Sequence, residues 1–321
     1  MNLFLNFIYF IIALFIYTHI VSQYKKSHDL KVYESDFENN AQLQTVCDIK
    51  QPVAFQYASV SPDFFALLNF TPFRISDAQR RPPFPFITAH EVGVLNEKRC
   101  NTLPSLIGSE IVIVKETADY YKDNATTVSS LPLALHTFNT LIGTDSRGRY
   151  FSENNSHIID NNSALEALFR QNDENLKPAF TLFTKYDFCM GSLGAYTPLR
   201  YHTHYRHFVA VHSGRISVKL TPFKSSKHLY PIKDHENNEC WSPVNVWAPS
   251  NKYADDFGRL RFVDIDVMPG SVLYVPPYWW YSIRFVGADT LVTTTTYNTV
   301  MNVAANSIDY AQSLYNNIYT K

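Results

Sequence analysis

The sequence predicts a mainly β protein with flanking helices, a barrel carried behind one N-terminal apolar helix. Three stretches carry that expectation. Residues 194–222, GAYTPLRYHTHYRHFVAVHSGRISVKLTP, alternate in the manner of paired strands, and residues 269–285, PGSVLYVPPYWWYSIRF, open on a Pro-Gly turn signal and run into a second apolar strand. Residues 3–21 form an apolar run without Asp, Glu, Lys or Arg. Side chains two positions apart leave the same face of a strand, so Arg200, His202 and His204 are expected to share one face. The two β-rich stretches then read as the two halves of a barrel mouth.

Taken from the N-terminus, the apolar run LFLNFIYFIIALFIYTHIV is bounded by Leu3 and Val21. As a helix it would span about 28 Å, close to the ~30 Å hydrocarbon core of a bilayer. No Lys or Arg precedes it and no small-x-small cleavage site follows it, so residues 1–25 are read as a single-pass transmembrane anchor rather than a cleaved signal. Lys25 and Lys26 follow immediately, which places the C-terminal part on the cytosolic side by the positive-inside rule. In that orientation the sequons at Asn69, Asn124, Asn154 and Asn161 are chance matches; in the reverse one they are glycan sites. Residues 26–45 are polar and read as a tether, and residues 46–321 as the folded domain with its barrel core at 180–300.

At 321 residues the chain has room for one large barrel, and 45% hydrophobic with 15% aromatic content is ample for a core. A net charge of -1 provides no field to draw nucleic acid, which is not expected as a partner. Cys47, Cys100, Cys189 and Cys240 are widely separated, form no CxxC spacing, and read as buried thiols with disulfide pairing left open. Residues 53–65 and the β-branched EIVIVK at 110–115 read as strand-bearing. Between them, RRPPFPF at 80–86 reads as an extended connection packed by its own phenylalanines. Asn162 or Ser163 caps a helix with Leu165, Leu168 and Phe169 on one face. Residues 224–251 form a long polar, proline-punctuated insertion in which Trp241 and Trp247 argue for order. A last helix, at 304–319, has Ile308, Ala311, Tyr315 and Ile318 in a stripe beside Leu314. That stripe either docks on the barrel or joins two copies as a homodimer.

TPLRYH, then HSGR, then PGSVLYVPPYWWYSIRF resembles, in order, spacing and flanks, the cupin-like/JmjC-type Fe(II)- and 2-oxoglutarate-dependent hydroxylases, whose pattern reads TPLHxD, SGxK, PGDxLxIPxxWWHxV. The resemblance implies a double-stranded β-helix, a cupin or jelly-roll-like barrel, with iron held by a facial triad. Carried over position by position, the first ligand falls on Arg200, the second on His202 and the third on Tyr281. The lysine that grips the cosubstrate in many members is Ile216 here, and the acid after Pro-Gly is Ser271. Trp279 and Trp280 are expected to line the pocket. A guanidinium has no lone pair to give a metal, so the expectation is a retained scaffold with replaced chemistry: no catalytic residue and no cofactor. Arg200 would then hold an anionic small molecule, a partner's carboxylate or an internal Asp or Glu. The alternative is a hydroxylase using Fe(II) and 2-oxoglutarate through an atypical metal site. His202, His204 and His207, with His212 close by, keep a metal reading open, although no carboxylate follows them at the older cupin spacing. The Asn-, Tyr- and Phe-rich composition is compatible with a large DNA virus and so with a virion or host membrane.

Overall fold

Ile216, Val218 and Leu220 are buried while Ser217 and Lys219 between them are partly open, the two-residue period of a strand with one face turned inward. The same logic builds most of the protein. The computed structural model describes residues 2–67, 107–122, 128–234, 239–287 and 289–319. Its strands are β1 (Tyr33–Glu34), β2 (Val53–Gln56), β3 (Ile111–Glu116), β4 (Ser130–Ala134), β5 (Tyr150–Ser152) and β6 (Thr181–Gly191). There follow β7 (Arg200–His202), β8 (Arg206–Ser213), β9 (Ile216–Thr221), β10 (Ile232–Asp234) and β11 (Glu239–Trp241). The last are β12 (Val263–Val267), β13 (Ser271–Tyr274), β14 (Trp280–Phe285) and β15 (Leu291–Thr299).

They form two sheets, ordered β1-β2-β13-β8-β15-β6-β5-β3-β4 and β10-β11-β7-β14-β9-β12. Between the sheets lies an apolar layer to which β8 gives Val209 and Val211, β9 gives Ile216, Val218 and Leu220, and β14 gives Tyr281, Ile283 and Phe285. Burying one such aliphatic side chain is worth about 1.5–3 kcal/mol, which is why the alternation fixes which face points in. This is the double-stranded β-helix that the motif implied. Two turns with glycine at positive φ, Gly214 (φ +69°) between β8 and β9 and Gly270 (φ +85°) between β12 and β13, carry the chain from one sheet to the other; a Cβ on Gly214 would stand 2.7 Å from the Thr290 backbone.

Helices are α1 (Asn2–Gln23), α2 (Asn40–Asp48), α3 (Pro62–Leu67), α4 (Leu135–Thr144) and α5 (Ser156–Asp160). After these come α6 (Ser163–Gln171), α7 (Asp173–Leu176), α8 (Ala254–Phe257), α9 (Val300–Ala305) and α10 (Ser307–Tyr319). Leu43, Phe64, Phe138, Leu165 and Phe169 pack from this helical layer on the outer face of the large sheet, where they meet Phe208 and Tyr274. Asn162 caps α6 as expected, its side chain accepting from the amides of Ala164 and Leu165.

Helix α1 is long and apolar enough to cross a membrane over Phe4–Gln23, by length and composition, and its large apolar side chains are exposed. Its end packs on α9, where the Tyr24 hydroxyl donates to the Ala305 carbonyl. Just beyond, the Lys26 ammonium stands 3.5 Å over the Phe223 ring and 4.5 Å over the Tyr278 ring, a cation–π contact.

Residues 26–45, expected as a tether, differ from that reading. Strand β1 pairs in parallel with β2, Asn39 caps α2, and Gln51 donates to Ser27 and Asp29, so the stretch is stitched onto the barrel edge. The expected terminal helix is divided in two by Asn306, and on α10 Ile308, Ala311 and Tyr315 are exposed. The side chains of Leu314 and Ile318 lie outside the described residues, as do Asn69, Asn124, Cys100 and residues 80–86. Cys47, Cys189 and Cys240 are free thiols.

Candidate functional site: an ion-paired barrel mouth

The short strand β7 places Arg200 and His202 on its inward face with Tyr201 between them facing out. Arg200 stands opposite Tyr281 of β14, and His202 opposite Glu239 of β11. Directly opposed residues share a face, so the three positions that the motif assigned to iron do meet inside the barrel. The turn after β13 secures them: Tyr278, at φ +67°, donates its amide to the His202 carbonyl at 2.9 Å.

Arg200 is held by carboxylates of this chain. Its Nη2 donates to Glu153 at 2.7 Å and its Nη1 to Glu239 at 3.2 Å. Lys115 Nζ donates to the other Glu153 oxygen at 2.9 Å, and the guanidinium lies 5.5 Å from the centre of the Tyr281 ring. Two cations and two anions thus close a neutral cluster whose side chains are between 5% and 21% exposed. Burial alone would push the Glu153 carboxyl up, but Arg200 and Lys115 together pull it down to about 2. Burial likewise works against the charge on Arg200 and is overcome by Glu153 and Glu239, which hold it well above its ordinary value. Glu239, less tightly held, is raised by burial despite Arg200. Short bonds in a poorly hydrated setting favour the fully ionised cluster.

Beside the ion pairs sit three imidazoles. The His202 ring lies 4.5 Å from His207 and is stacked at 5.1 Å on His204. His204 Nδ1 donates to Asn298 at 3.1 Å, and His207 Nδ1 meets the Thr296 hydroxyl at 3.0 Å. The Tyr281 hydroxyl reaches His207 Nε2 at 3.5 Å, at the limit of a hydrogen bond. Among the described residues neither ring nitrogen of His202 has a hydrogen-bond partner, although the residue is buried. Burial, then the neighbouring rings and Arg200, holds His202 and His207 well below the ordinary histidine value; burial holds His204 at about 4. His212 is elsewhere, bonded to Thr293 and packed against Phe64 and Phe65 on the helical side of the large sheet.

The donor set does not fit Fe(II) with 2-oxoglutarate. Arg200 offers no lone pair, and burial raises the Tyr281 phenol so that it does not present a phenolate. Ile216 is buried in the apolar layer and offers nothing to a cosubstrate carboxylate. His202, His204 and His207 come together as packed rings, and among the described residues no group of three His, Cys, Asp or Glu side chains is placed to hold a metal ion. Of the expected pocket tryptophans, Trp279 joins the inner layer and donates to the Lys50 carbonyl at 3.1 Å. Trp280 alternates to the outer face, where it packs with Leu199, Leu229, Val244 and Val246 and donates to Ser226.

Lys115, Glu153 and Glu239 were not singled out from the sequence. Lys115 ends EIVIVK, where a charge closing a buried strand is a signal for a buried partner. Glu239 belongs to the insertion at 224–251, which pairs as the β10–β11 hairpin against β7. Trp241 there stacks edge-on to Tyr120 at 5.3 Å, and Trp247 donates to Ser282 at 2.8 Å, in keeping with the order both tryptophans implied.

Comparison with known proteins places these features in a family context. The model of the cupin-like domain family matches residues 101–307. HSPB1-associated protein 1 from Bos taurus is 33% identical over 98 residues, covering 30% of this chain and 20% of that protein. The Homo sapiens protein of the same name is 31% identical over 98 residues, with the same shares covered. JmjC domain-containing protein D from Dictyostelium discoideum is 30% identical over 98 residues, 30% of this chain and 21% of its own. The matched stretch spans about a fifth of the length of these curated relatives.

Proposed function

Because this chain belongs to the cupin-like domain family, we propose that it is a membrane-anchored binding module in which an internal ion-pair cluster has replaced the hydroxylase centre. The observation that carries this reading is Arg200 at the first ligand position, its guanidinium engaged by Glu153 and Glu239. A cation with two carboxylates already in place repels a metal ion and needs no external anion. Helix α1 is the anchor, and Lys25 and Lys26 put the domain on the cytosolic side. The name of the mammalian relatives describes them as associated with HSPB1, which supports a protein partner for this chain as well.

A second reading, a 2-oxoglutarate oxygenase with an atypical metal set, is favoured by one feature: the two unbonded nitrogens of buried His202. The two separate in the detergent-purified full chain by metal analysis after anaerobic iron loading, coupled to succinate detection. The binding-module reading expects no stoichiometric iron and no succinate. Iron near one equivalent, with 2-oxoglutarate-dependent oxygen uptake lost in His202→Ala, would overturn it.

A further inference from the structure

Large apolar side chains collect in the open where helix α1 meets the domain. The first half of β6 runs past the barrel, leaving the consecutive residues Leu182 and Phe183 both exposed although they leave opposite faces of the strand. Phe180, just before them, is 85% exposed. It sits at φ +57°, the left-handed region that bulky residues rarely occupy and that persists only where the surroundings enforce it.

This tip is tied to the C-terminal helices. The amide of Val300, itself exposed at the start of α9, donates to the Phe180 carbonyl at 3.0 Å, and the Phe183 ring lies 6.5 Å from Tyr310 of α10. On α10, Ile308 is 73% exposed and Tyr315 is open as well. Helix α9 in turn packs on α1, and a cavity of about 470 Å³ lined by Tyr24, Lys26, Ile308 and Tyr310 lies in the same band. Segments distant in sequence therefore present apolar surface together, around the base of a helix with the length and composition of a membrane span.

We propose that Phe180, Leu182, Phe183, Val300, Ile308 and Tyr315 form a second contact with the bilayer, lying in its interfacial layer beside α1. The inference rests on reading α1 as a membrane anchor. Lipid fits better than a protein partner because the band is continuous with that helix and because the exposed Tyr24 and Tyr315 are amphipathic rings of the kind an interface collects. Of the acids lining that cavity, Asp309 is paired with Lys233 at 2.5 Å and Glu239 with Arg200 at 3.2 Å. The contact fixes the domain with α9 and α10 toward the membrane.

The test is depth-dependent fluorescence quenching of the full chain in phosphatidylcholine vesicles. Phe180→Trp is compared with Leu131→Trp on the exposed edge strand β4, and the native tryptophan signal is subtracted. Ile308→Trp reports independently from α10. The Phe180 and Ile308 probes should be quenched by brominated acyl chains at a depth of roughly 5–10 Å and shielded from aqueous iodide, while the Leu131 probe is quenched by iodide alone. Iodide quenching of all three, with the chain still resistant to carbonate extraction, would overturn the contact and leave the anchor intact. Shielding from iodide without lipid quenching would assign the band to a protein contact, such as a second copy through α10, and overturn it equally. Release by carbonate would remove the anchor reading and this contact with it.

Discussion

Two sets of buried polar side chains stand next to each other in the barrel mouth and are held in opposite ways. Around Arg200 every charge faces an opposite charge within 3.2 Å, and the cluster sums to zero. At His202 a buried ring has no hydrogen bond among the described residues, and burial together with its neighbours keeps it uncharged. Burial does not by itself set what a polar residue contributes. An ionised group is committed to its partners, because removing one strands the others, whereas an unbonded neutral ring contributes mainly its shape.

The largest effect should come from breaking the paired side. Arg200→Met leaves Glu153 with Lys115 alone and Glu239 without its cation, and should cost about 3–5 kcal/mol in denaturant unfolding. A loss below about 1 kcal/mol would mean that the carboxylates reach water and the cluster is not a buried unit.

Acid should dissect the comparison next. Unfolded histidines take protons near 6.5, while burial holds His204 at about 4 and His212 at about 3, with His202 and His207 well below 6.5. The unfolded chain then binds more protons, so stability complete above pH 6.5 falls as pH drops below it. Glu153, at about 2 against an ordinary 4.5, adds a further loss of the same sign between 4.5 and 2. Melting temperature followed from pH 8 to 3 should therefore decline in two stages, made shallower between them by Glu239 and Asp187, whose carboxyls burial raises and which act with the opposite sign. A flat profile between 6.5 and 4.5 would show that the histidines are hydrated.

The smallest effect is expected on the unpaired side. His202→Leu removes a ring without hydrogen bonds and supplies apolar volume, so stability should change by less than about 1 kcal/mol or rise. A loss above about 2 kcal/mol would reveal a hydrogen-bonded role for the ring and remove the contrast.

The centre of this arrangement was legible in the sequence because it is local. TPLRYH and PPYWWY are each a strand with its turn, and their alternation set Arg200, His202 and Tyr281 facing inward. The anions were not legible. Glu153 sits 47 residues before Arg200, just past β5 of the other sheet, and no spacing rule connects them; only the general expectation of an internal Asp or Glu for a buried arginine pointed that way. Trp280 faces away from the pocket, between Trp279 and Tyr281 of the inner layer, an alternation that the uniform aromatic character of the run conceals. The polarity of residues 26–45 suggests a tether, but β1 needs only two residues to join the sheet edge, and backbone pairing leaves no mark in composition.

The seat of Lys26 between Phe223 and Tyr278 has a mechanical consequence. A flexible joint after α1 would let the barrel swivel; this ammonium, held between two rings three residues past the end of the helix, removes the slack. An unbroken run of contacts thus leads from the end of α1 through Lys26 to the Tyr278 turn, and through the amide of Tyr278 to the carbonyl of His202.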